Sequence, residues 1–376
     1  MVRRPGSIIR EERTINPHHD FLAKTVEDTS VSFQPLKFLP LSSVDPFYVY
    51  YLFVRLGDEI EDNRNIERYR KDGLINQVRA MLYGDKLPAK DLEREFRGIT
   101  PTEEKFRGLL NNITTLFDAH EALPEDIKKI GRKHIGEMTE GLRSPNIREY
   151  STLLGYHQYC HFTTGVVGYL IADLLFAQGH LDSERLNKAM PDSISREIGV
   201  NPAHDWGVAL QLGNDVRDLH KDISEEKFKW PIELFNQRGV SYDDIKNMGS
   251  ECGENMGNQE TRLEERSRRN DRIESIHELM CYEAEKYYRA GIGFLEALPS
   301  SPKGILRCFG AVYGFAGATL RVVKDKDFLY RKDKRDISKK EAGRIVGIVR
   351  RLTEEKKDIR PFMNHLTEKH AAEYKA

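Results

Sequence analysis

Helical patterns of apolar residues occupy most of this 376-residue chain, and strand patterns are scarce. Proline residues separate the patterns, at Pro46, Pro101, Pro124, Pro202 and Pro302. No internal repeat or shift in composition marks a boundary, so we expect one all-α domain over 1–376. The predicted helices cover 17–28, 44–63, 66–82, 102–120, 124–142, 147–178, 183–190, 194–222, 231–237, 242–246, 261–297, 302–324 and 338–370.

The composition excludes several classes of protein. With 59 basic and 60 acidic residues, the chain lacks the basic excess that is typical of nucleic-acid binding. Its four cysteines are far apart and show no CxxC spacing, which predicts reduced thiols and a cytoplasmic location. They are Cys160, Cys252, Cys281 and Cys308.

The most apolar stretches, 165–179 and 308–323, are shorter than the ~20 residues that span a bilayer. We therefore expect no transmembrane anchor, and membrane contact, if any, to be peripheral. The first residues are basic without the apolar core of a secretory signal, and we expect 1–20 to be flexible. The polar, glycine-rich stretch 247–260 predicts an exposed loop.

Two pairs of aspartates have the spacing of one helical turn: Asp58 with Asp62, and Asp218 with Asp222. Residues four apart lie on one face of a helix. Like charges at this spacing destabilise the bare helix by about 0.2–0.5 kcal/mol per pair. Hard cations offset such repulsion, and Mg²⁺ prefers one or two carboxylates together with phosphate oxygens. Two such helices would hold a diphosphate between them.

The neighbours of each pair strengthen this interpretation. Tyr51 and Arg55 share the face of the first pair, and Gln211, Asn214 and Asp215 share the face of the second. A single pair of this kind is usually a solvated polar face. Here the second pair lies in a segment apolar enough to be a core helix, where unpaired carboxylates would be costly. A metal or a cationic ligand is therefore the better explanation.

A third segment surrounds Tyr159. Gly165 and Gly168 fall in mid-helix, where each glycine costs up to ~1 kcal/mol relative to alanine. They indicate a close approach by either a neighbouring helix or a long apolar substrate. Tyr159 itself is either a core tyrosine with a bonded hydroxyl or a catalytic residue.

Together, the segments RLGDEIEDN, YCHFTTGVVG and QLGNDVRDLHKD resemble the squalene and phytoene synthases, from about Ser30 to about Val346. The resemblance implies an isoprenoid synthase fold, a helical bundle around a central cavity, and head-to-head prenyl transfer. Three features resemble the squalene synthase branch in particular. They are His161 after Cys160, the stretch KFKWPIELFNQRGVSYDDI, and RCFGAVYGFAGATLRVV followed by RDISKKEAGRIV.

The resemblance also implies roles for residues. The four aspartates would bind Mg²⁺ (or Mn²⁺) and two farnesyl diphosphates, and Tyr159 would act in the first half-reaction. The expected substrate-binding residues are Tyr51, Arg55, Asn214, Arg217, Ser30, Ser32, Phe162, Val167 and Gln211. The apolar cavity is expected around Phe53, Phe162, Val166, Val167 and Leu210.

Two positions depart from the family pattern. Val31 stands where the family commonly has arginine, which leaves Ser30 and Ser32 as the diphosphate contacts there. Lys227 stands where squalene synthases often carry an arginine, so the charge is kept but the bidentate geometry is lost.

The resemblance further implies NADPH as a reductant. No GxGxxG motif follows a strand, so NADPH would bind a helical surface. We expect it at the basic run 324–340, through Lys324 and Arg331, with Lys227 nearby. The alternative for this run is a solvated, charged linker.

Three functions stay open from the sequence. The first is a monomeric squalene synthase that joins two farnesyl diphosphates and uses NADPH. The second is a phytoene or dehydrosqualene synthase, which needs no NADPH. The third is a non-catalytic relative that serves as an assembly factor, although such relatives are expected to lose the aspartates that this chain keeps.

Overall fold

The structure is a computed structural model. It describes residues 15–29, 34–85, 89–143, 151–182, 184, 185, 187, 201–225, 229–246, 259–299, 301–325, 328, 329 and 337–368. Throughout these ranges the regular elements are helical and no strand occurs, which confirms the predicted all-α class.

The described α-helices range in length from 5 to 39 residues. In chain order they are α1 His19–Thr29, α2 Leu41–Asp62, α3 Arg68–Leu82, α4 Ala89–Arg97, α5 Arg107–Asn111, α6 Ile113–Glu121, α7 Glu125–Arg143, α8 Leu153–Cys160, α9 Val166–Ala177, α10 Pro202–Arg217, α11 Leu219–Ser224, α12 Ile232–Asn236, α13 Tyr242–Lys246, α14 Gln259–Ala297, α15 Lys303–Val323, α16 Lys339–Glu355 and α17 Arg360–Leu366. Within the described ranges there are also 3₁₀ turns at Gln34–Phe38 and Glu104–Phe106 and a π-helical turn at His161–Gly165.

Most predicted helices are confirmed, but several boundaries differ. The predicted helix 338–370 is two helices, because Lys356 adopts a left-handed conformation (φ 53°) and Pro361 starts the next helix. The predicted helix 102–120 is likewise divided into a 3₁₀ turn, α5 and α6, and α4 was not predicted. Pro46 lies inside α2 rather than at a break. Most of 183–190 and of 247–260 lies outside the described residues.

Helix α10 is central, and glycines let its neighbours approach it closely. A Cβ atom on Gly168 would lie 1.8 Å from the carbonyl oxygen of Ala203, and one on Gly207 would lie 2.0 Å from that of Thr164. Only glycine allows backbones to meet at such distances. The structure therefore supports the neighbouring helix, rather than a substrate, as the reason for Gly168.

In the part of the chain that the structure describes, two helical stretches are long and apolar enough to cross a membrane, so the expectation that the apolar stretches fall short was wrong. They are Leu153–Ala177, which runs through the π-helical turn, and Lys303–Val323. More than half of each stretch is buried inside the protein, at 56% and 67%, as in core helices of soluble proteins. The absence of a transmembrane anchor stays a prediction. Cys160, Cys281 and Cys308 are free thiols, as expected.

Candidate active site

Helices α2 and α10 both line a cavity of about 1600 Å³. Along α2, the lining runs from the apolar Phe47 to Asp58 and Asp62 at the carboxyl end. Along α10, it runs from Trp206 towards Asp218 in the same order. The other apolar lining residues include Tyr51, Val54, Tyr159, Val167, Leu170, Ile171, Leu174, Leu210, Phe309 and Phe315. The cavity thus joins an acidic region to a long apolar one.

The first acidic pair lies at the carboxyl end of α2, whereas the second spans the break between α10 and α11, with Asp222 in the first turn of α11. We call Asp58 and Asp62 the first acidic wall, and Asp218 and Asp222 the second acidic wall. Carboxylates at a helix carboxyl end face the negative end of the helix dipole, which disfavours them. The dipole of α2 therefore makes the first acidic wall favour a bound cation.

Arg55 and Phe106 support the first acidic wall. Arg55 donates a hydrogen bond to Asp58 over 2.9 Å, and its guanidinium lies 4.9 Å above the Phe106 ring. Burial raises the pKa of Asp58 to about 6; Asp62 adds to the rise, while Arg55 and Lys229 oppose it. The segment that carries Phe106 is held to α2 by Glu59, whose carboxylate accepts a hydrogen bond from the backbone N–H of Thr102 at 2.7 Å.

The second acidic wall starts at a helix break. Asp218 follows the last residue of α10, and Arg217 binds both its carboxylate oxygens, at 2.9 and 2.7 Å. Asp222 lies one turn further on, in α11. Burial raises the pKa of Asp222 to about 7, with Lys229 opposing and three other aspartates adding to the rise. One of them is Asp62, so the two walls interact across the cavity.

A buried network lies behind the second acidic wall. Asp215 accepts hydrogen bonds from the Tyr156 hydroxyl at 2.9 Å and from the Gln211 amide at 2.8 Å. Burial raises the pKa of Asp215 to about 6, although Lys229 and both donors oppose the rise. The sequence placed Asp215 on the acidic face but gave it no role, and it did not single out Tyr156.

Lys229 is a site residue that the sequence analysis missed. Its ammonium lies 3.8 Å from Asp62 and 5.6 Å from the centre of the Tyr159 ring. Its charge lowers the pKa of Asp58, Asp215 and Asp222 against the effect of burial. The signal was the position of this lysine directly before Trp230, a large residue suited to anchoring the segment in the core.

The structure brings most of the predicted site residues to this cavity. Those that line it are Tyr51, Arg55, Asp58, Asp62, Tyr159, Val167, Leu210, Gln211, Asn214, Arg217, Asp218 and Asp222. Tyr159 is buried, with 2% of its surface exposed, and its ring forms part of the lining.

Three predicted cavity residues lie elsewhere, and these assignments need correction. The Phe162 ring packs on Gly141, where a Cβ atom would lie 2.1 Å from it, and this glycine leaves room for the ring on the side of α7. Val166, four residues on, is buried and is outside the cavity lining. Phe53 packs edge to face against Phe117, at 5.2 Å between ring centres.

Of the predicted NADPH residues, the structure describes Lys324. Lys324 donates to Glu285 at 2.6 Å and to the carbonyl oxygen of Thr367, and it is outside the cavity lining. Lys339, a basic residue of the run 324–340, lines the cavity. The other predicted positions, Lys227, Arg331, Ser30 and Ser32, lie outside the described residues, as does Val31.

The donor chemistry of the two walls fits Mg²⁺. Among the described residues, no three His, Cys, Asp or Glu side chains are grouped as a protein-only metal site. Mg²⁺ does not need such a group, because it binds one or two carboxylates and completes its shell with phosphate oxygens and water. The burial that raises the pKa values of Asp58 and Asp222 leaves carboxylates whose charge a divalent ion would balance.

Comparison with known families gives a match to the squalene/phytoene synthase model over residues 30–341. Among curated proteins, squalene synthase 8 of Panax ginseng is 24% identical over 205 residues, which are 54% of this chain and 46% of that protein. The squalene synthase of Solanum lycopersicum is 24% identical over 238 residues, 61% of this chain and 51% of that protein. The chain thus spans about half the length of these curated relatives.

Solved structures share the fold. TcSQS in complex with the ligand E5700 has a TM-score of 0.68 at 17% identity, over 94% of this chain and 96% of that chain. A dehydrosqualene synthase in complex with a ligand has a TM-score of 0.58 at 17% identity, over 90% and 99%. At these identities the likeness concerns the helical architecture alone.

Proposed function

The chain belongs to the squalene/phytoene synthase family, and on that premise we propose that it is a squalene synthase, which joins two farnesyl diphosphates head to head. One observation carries the proposal: two acidic walls open into a single, largely apolar cavity of about 1600 Å³. Ligand pockets usually measure ~300–1,000 Å³, so this cavity suits two long substrates better than one.

The acidic walls serve the departure of diphosphate from the first substrate. Asp58 and Asp62, with Asp218 and Asp222, would hold Mg²⁺, which supplies Lewis acidity at the leaving oxygens. Arg55, Arg217 and Lys229 add fixed positive charge where the leaving group becomes more negative.

The apolar lining protects the allylic cation that remains. Leu170, Leu174 and Leu210 offer no nucleophile and exclude water. The alkene of the second farnesyl diphosphate attacks the cation, and loss of a proton closes the cyclopropane of presqualene diphosphate. We assign to the Tyr159 hydroxyl the transfer of that proton to the released diphosphate, which is the base that finally holds it.

The second half of the proposed reaction opens this cyclopropane and needs a hydride, for which NADPH is the donor. Lys324, the described residue expected to bind it, is paired with Glu285 instead. We therefore derive no step through the cofactor, and the experiment below decides whether it is used.

The alternative is a dehydrosqualene or phytoene synthase, which shares the first half-reaction and needs no NADPH. The pairing of Lys324 away from the cavity is the observation that favours it. A non-catalytic assembly factor is disfavoured, because all four aspartates are present and line the cavity. In either enzyme we propose a cytoplasmic monomer that touches membranes peripherally, since the product is a hydrocarbon.

Purified protein should be incubated with farnesyl diphosphate and Mg²⁺, with and without NADPH, and the products separated by chromatography. Squalene that forms only with NADPH is the expected result. Dehydrosqualene in both tubes, or turnover of geranylgeranyl diphosphate alone, would instead identify the alternative. No condensation of either substrate would overturn both.

A further inference from the structure

Lys229 differs from the other cations of the site in which carboxylates it interacts with. Arg55 binds Asp58 on its own helix, and Arg217 binds its direct neighbour Asp218. Lys229 lies 3.8 Å from Asp62 on α2, and its charge also acts on Asp58, Asp215 and Asp222. Its charge therefore acts on both acidic walls, which come from distant parts of the sequence.

The backbone holds Lys229 in this place. The next residue, Trp230, is 2% exposed, and its indole N–H donates to the carbonyl oxygen of Asp215 at 3.2 Å. Its ring stacks with His277, at 6.2 Å between ring centres. Because Trp230 is fixed on α10, the lysine begins at the cavity wall. Only 14% of its side chain is exposed.

The surroundings of the ammonium are chemically suited to a diphosphate. The face of the Tyr159 ring lies 5.6 Å away, a cation–π distance that keeps the charge within the cavity. A lysine ammonium is a compact charge with three rotatable donors, and it serves as a phosphate ligand without the fixed fork of arginine. An organic diphosphate placed between the two walls would meet it.

We propose that Lys229 is a resident cation of the diphosphate site. In the free protein it balances the charge of both acidic walls, and when a diphosphate binds it becomes a direct ligand of the phosphate oxygens. The inference rests on the proposed function for the substrate class, but it concerns the diphosphate group only.

The proposal predicts opposite effects on two ligands. In the free protein the ammonium competes with divalent ions for the carboxylates, so Lys229→Met should bind Mg²⁺ alone more tightly. With Mg²⁺ saturating, the same variant should bind inorganic pyrophosphate about tenfold to a hundredfold more weakly, the range of one lost hydrogen bond between charged groups. Lys229→Arg keeps the charge and should recover part of the pyrophosphate affinity.

Isothermal titration calorimetry with MgCl₂, and then with pyrophosphate in excess Mg²⁺, measures both effects. Lys128→Met is a matched control: Lys128 has 13% of its side chain exposed and pairs with two carboxylates, Glu121 and Glu125, outside the cavity lining. It should bind both ligands as the wild type does. Thermal melts of each variant report whether the fold is kept.

Opposite shifts in Lys229→Met support the resident cation. Weaker binding of both ligands would indicate a merely structural lysine, and unchanged affinity for either ligand would likewise overturn the proposal. The outcome is separate from that of the proposed function, because pyrophosphate binding needs no turnover. A wild type that binds pyrophosphate as expected but condenses no prenyl diphosphate would leave this inference standing and the function refuted.

Discussion

The two acidic walls contain the same residues at the same spacing, but the protein supports them differently. The first wall, Asp58 and Asp62, lies on one unbroken helix and is supported by Arg55 stacked on Phe106. The second wall, Asp218 and Asp222, begins at a helix break and lies in front of the buried Asp215. The first wall is thus built from local helix geometry, and the second from a buried polar network.

The difference has an electrostatic consequence. At the second wall, burial raises the pKa of Asp222 to about 7 and that of its neighbour Asp215 to about 6. At the first wall, the pKa of Asp58 is raised to about 6. The second wall therefore holds the more costly negative charge, and we expect it to depend more strongly on pH and on its supporting residues.

The largest expected effect is a loss of turnover, and it should be the same for both acidic walls. Asp58→Asn and Asp218→Asn should each lower turnover by about a thousandfold, because the Lewis acidity of a bound metal contributes several kcal/mol at the transition state. Product formation from farnesyl diphosphate measures the loss, and circular dichroism checks the fold. Asp271→Asn, at an exposed aspartate of α14, is the control and should leave turnover unchanged.

If the two walls serve one diphosphate each, both losses should be similar in size. Near-normal turnover in either variant would show that the metal assignment for that wall is wrong.

A smaller effect is expected when a hydrogen bond that supports one of the walls is removed, and its size should differ between the two walls. Tyr156→Phe removes a fully buried hydroxyl that donates to Asp215, so we expect unfolding to become easier by about 1.5–3 kcal/mol and turnover to fall about tenfold. Thr102→Val is the corresponding change at the first wall, where it removes the hydroxyl of an exposed threonine that donates to Glu59. Glu59 keeps its bonds to the Thr102 backbone N–H and to Asn63, so the loss should be smaller.

Urea unfolding monitored by circular dichroism, together with steady-state turnover, measures both variants. Equal losses from the two changes would contradict the distinction between a locally built wall and a network-supported one.

Local geometry explains which parts of the site could be predicted from sequence. Tyr51, Arg55, Asp58 and Asp62 lie on one helix, where angular spacing alone places them on one face, and all four line the cavity. Val167 and Leu210 were also placed correctly in the lining. The all-α class followed from the same periodicity.

The missed parts depend on contacts between segments that are distant in sequence. Periodicity predicts that Phe53 and Phe162 face the interior, but a core contact and a cavity wall produce the same pattern. Lys229 approaches Asp62 because Trp230 fixes its segment on α10; the tryptophan indicates a buried anchor, but no local pattern shows where that anchor packs. The break at Asp218 has no proline or glycine to signal it.

A further expected effect concerns stability and its dependence on pH. In the free protein, Asp222 carries a proton up to a pH of about 7, whereas an unfolded chain loses it near 3.8. The native state therefore binds the extra proton between these values, and the cost of ionising Asp222 is present in full above about 7. Asp222→Asn removes that cost, so its melting temperature should exceed that of the wild type at pH 8. The difference should shrink as the pH falls towards 5.

Asp58→Asn tests the same argument at the first wall, where the pKa is about 6. As the pH falls, the gain in melting temperature of Asp58→Asn should begin to shrink about one pH unit lower than the gain of Asp222→Asn. Calorimetric melts between pH 5 and 8 without divalent ions measure both curves. Added Mg²⁺ should stabilise the wild type more at pH 8 than at pH 6, because ions bind the deprotonated carboxylates. A gain that is constant with pH in either variant would mean that the carboxylate does not titrate in this range, and the electrostatic contrast between the walls would then be wrong.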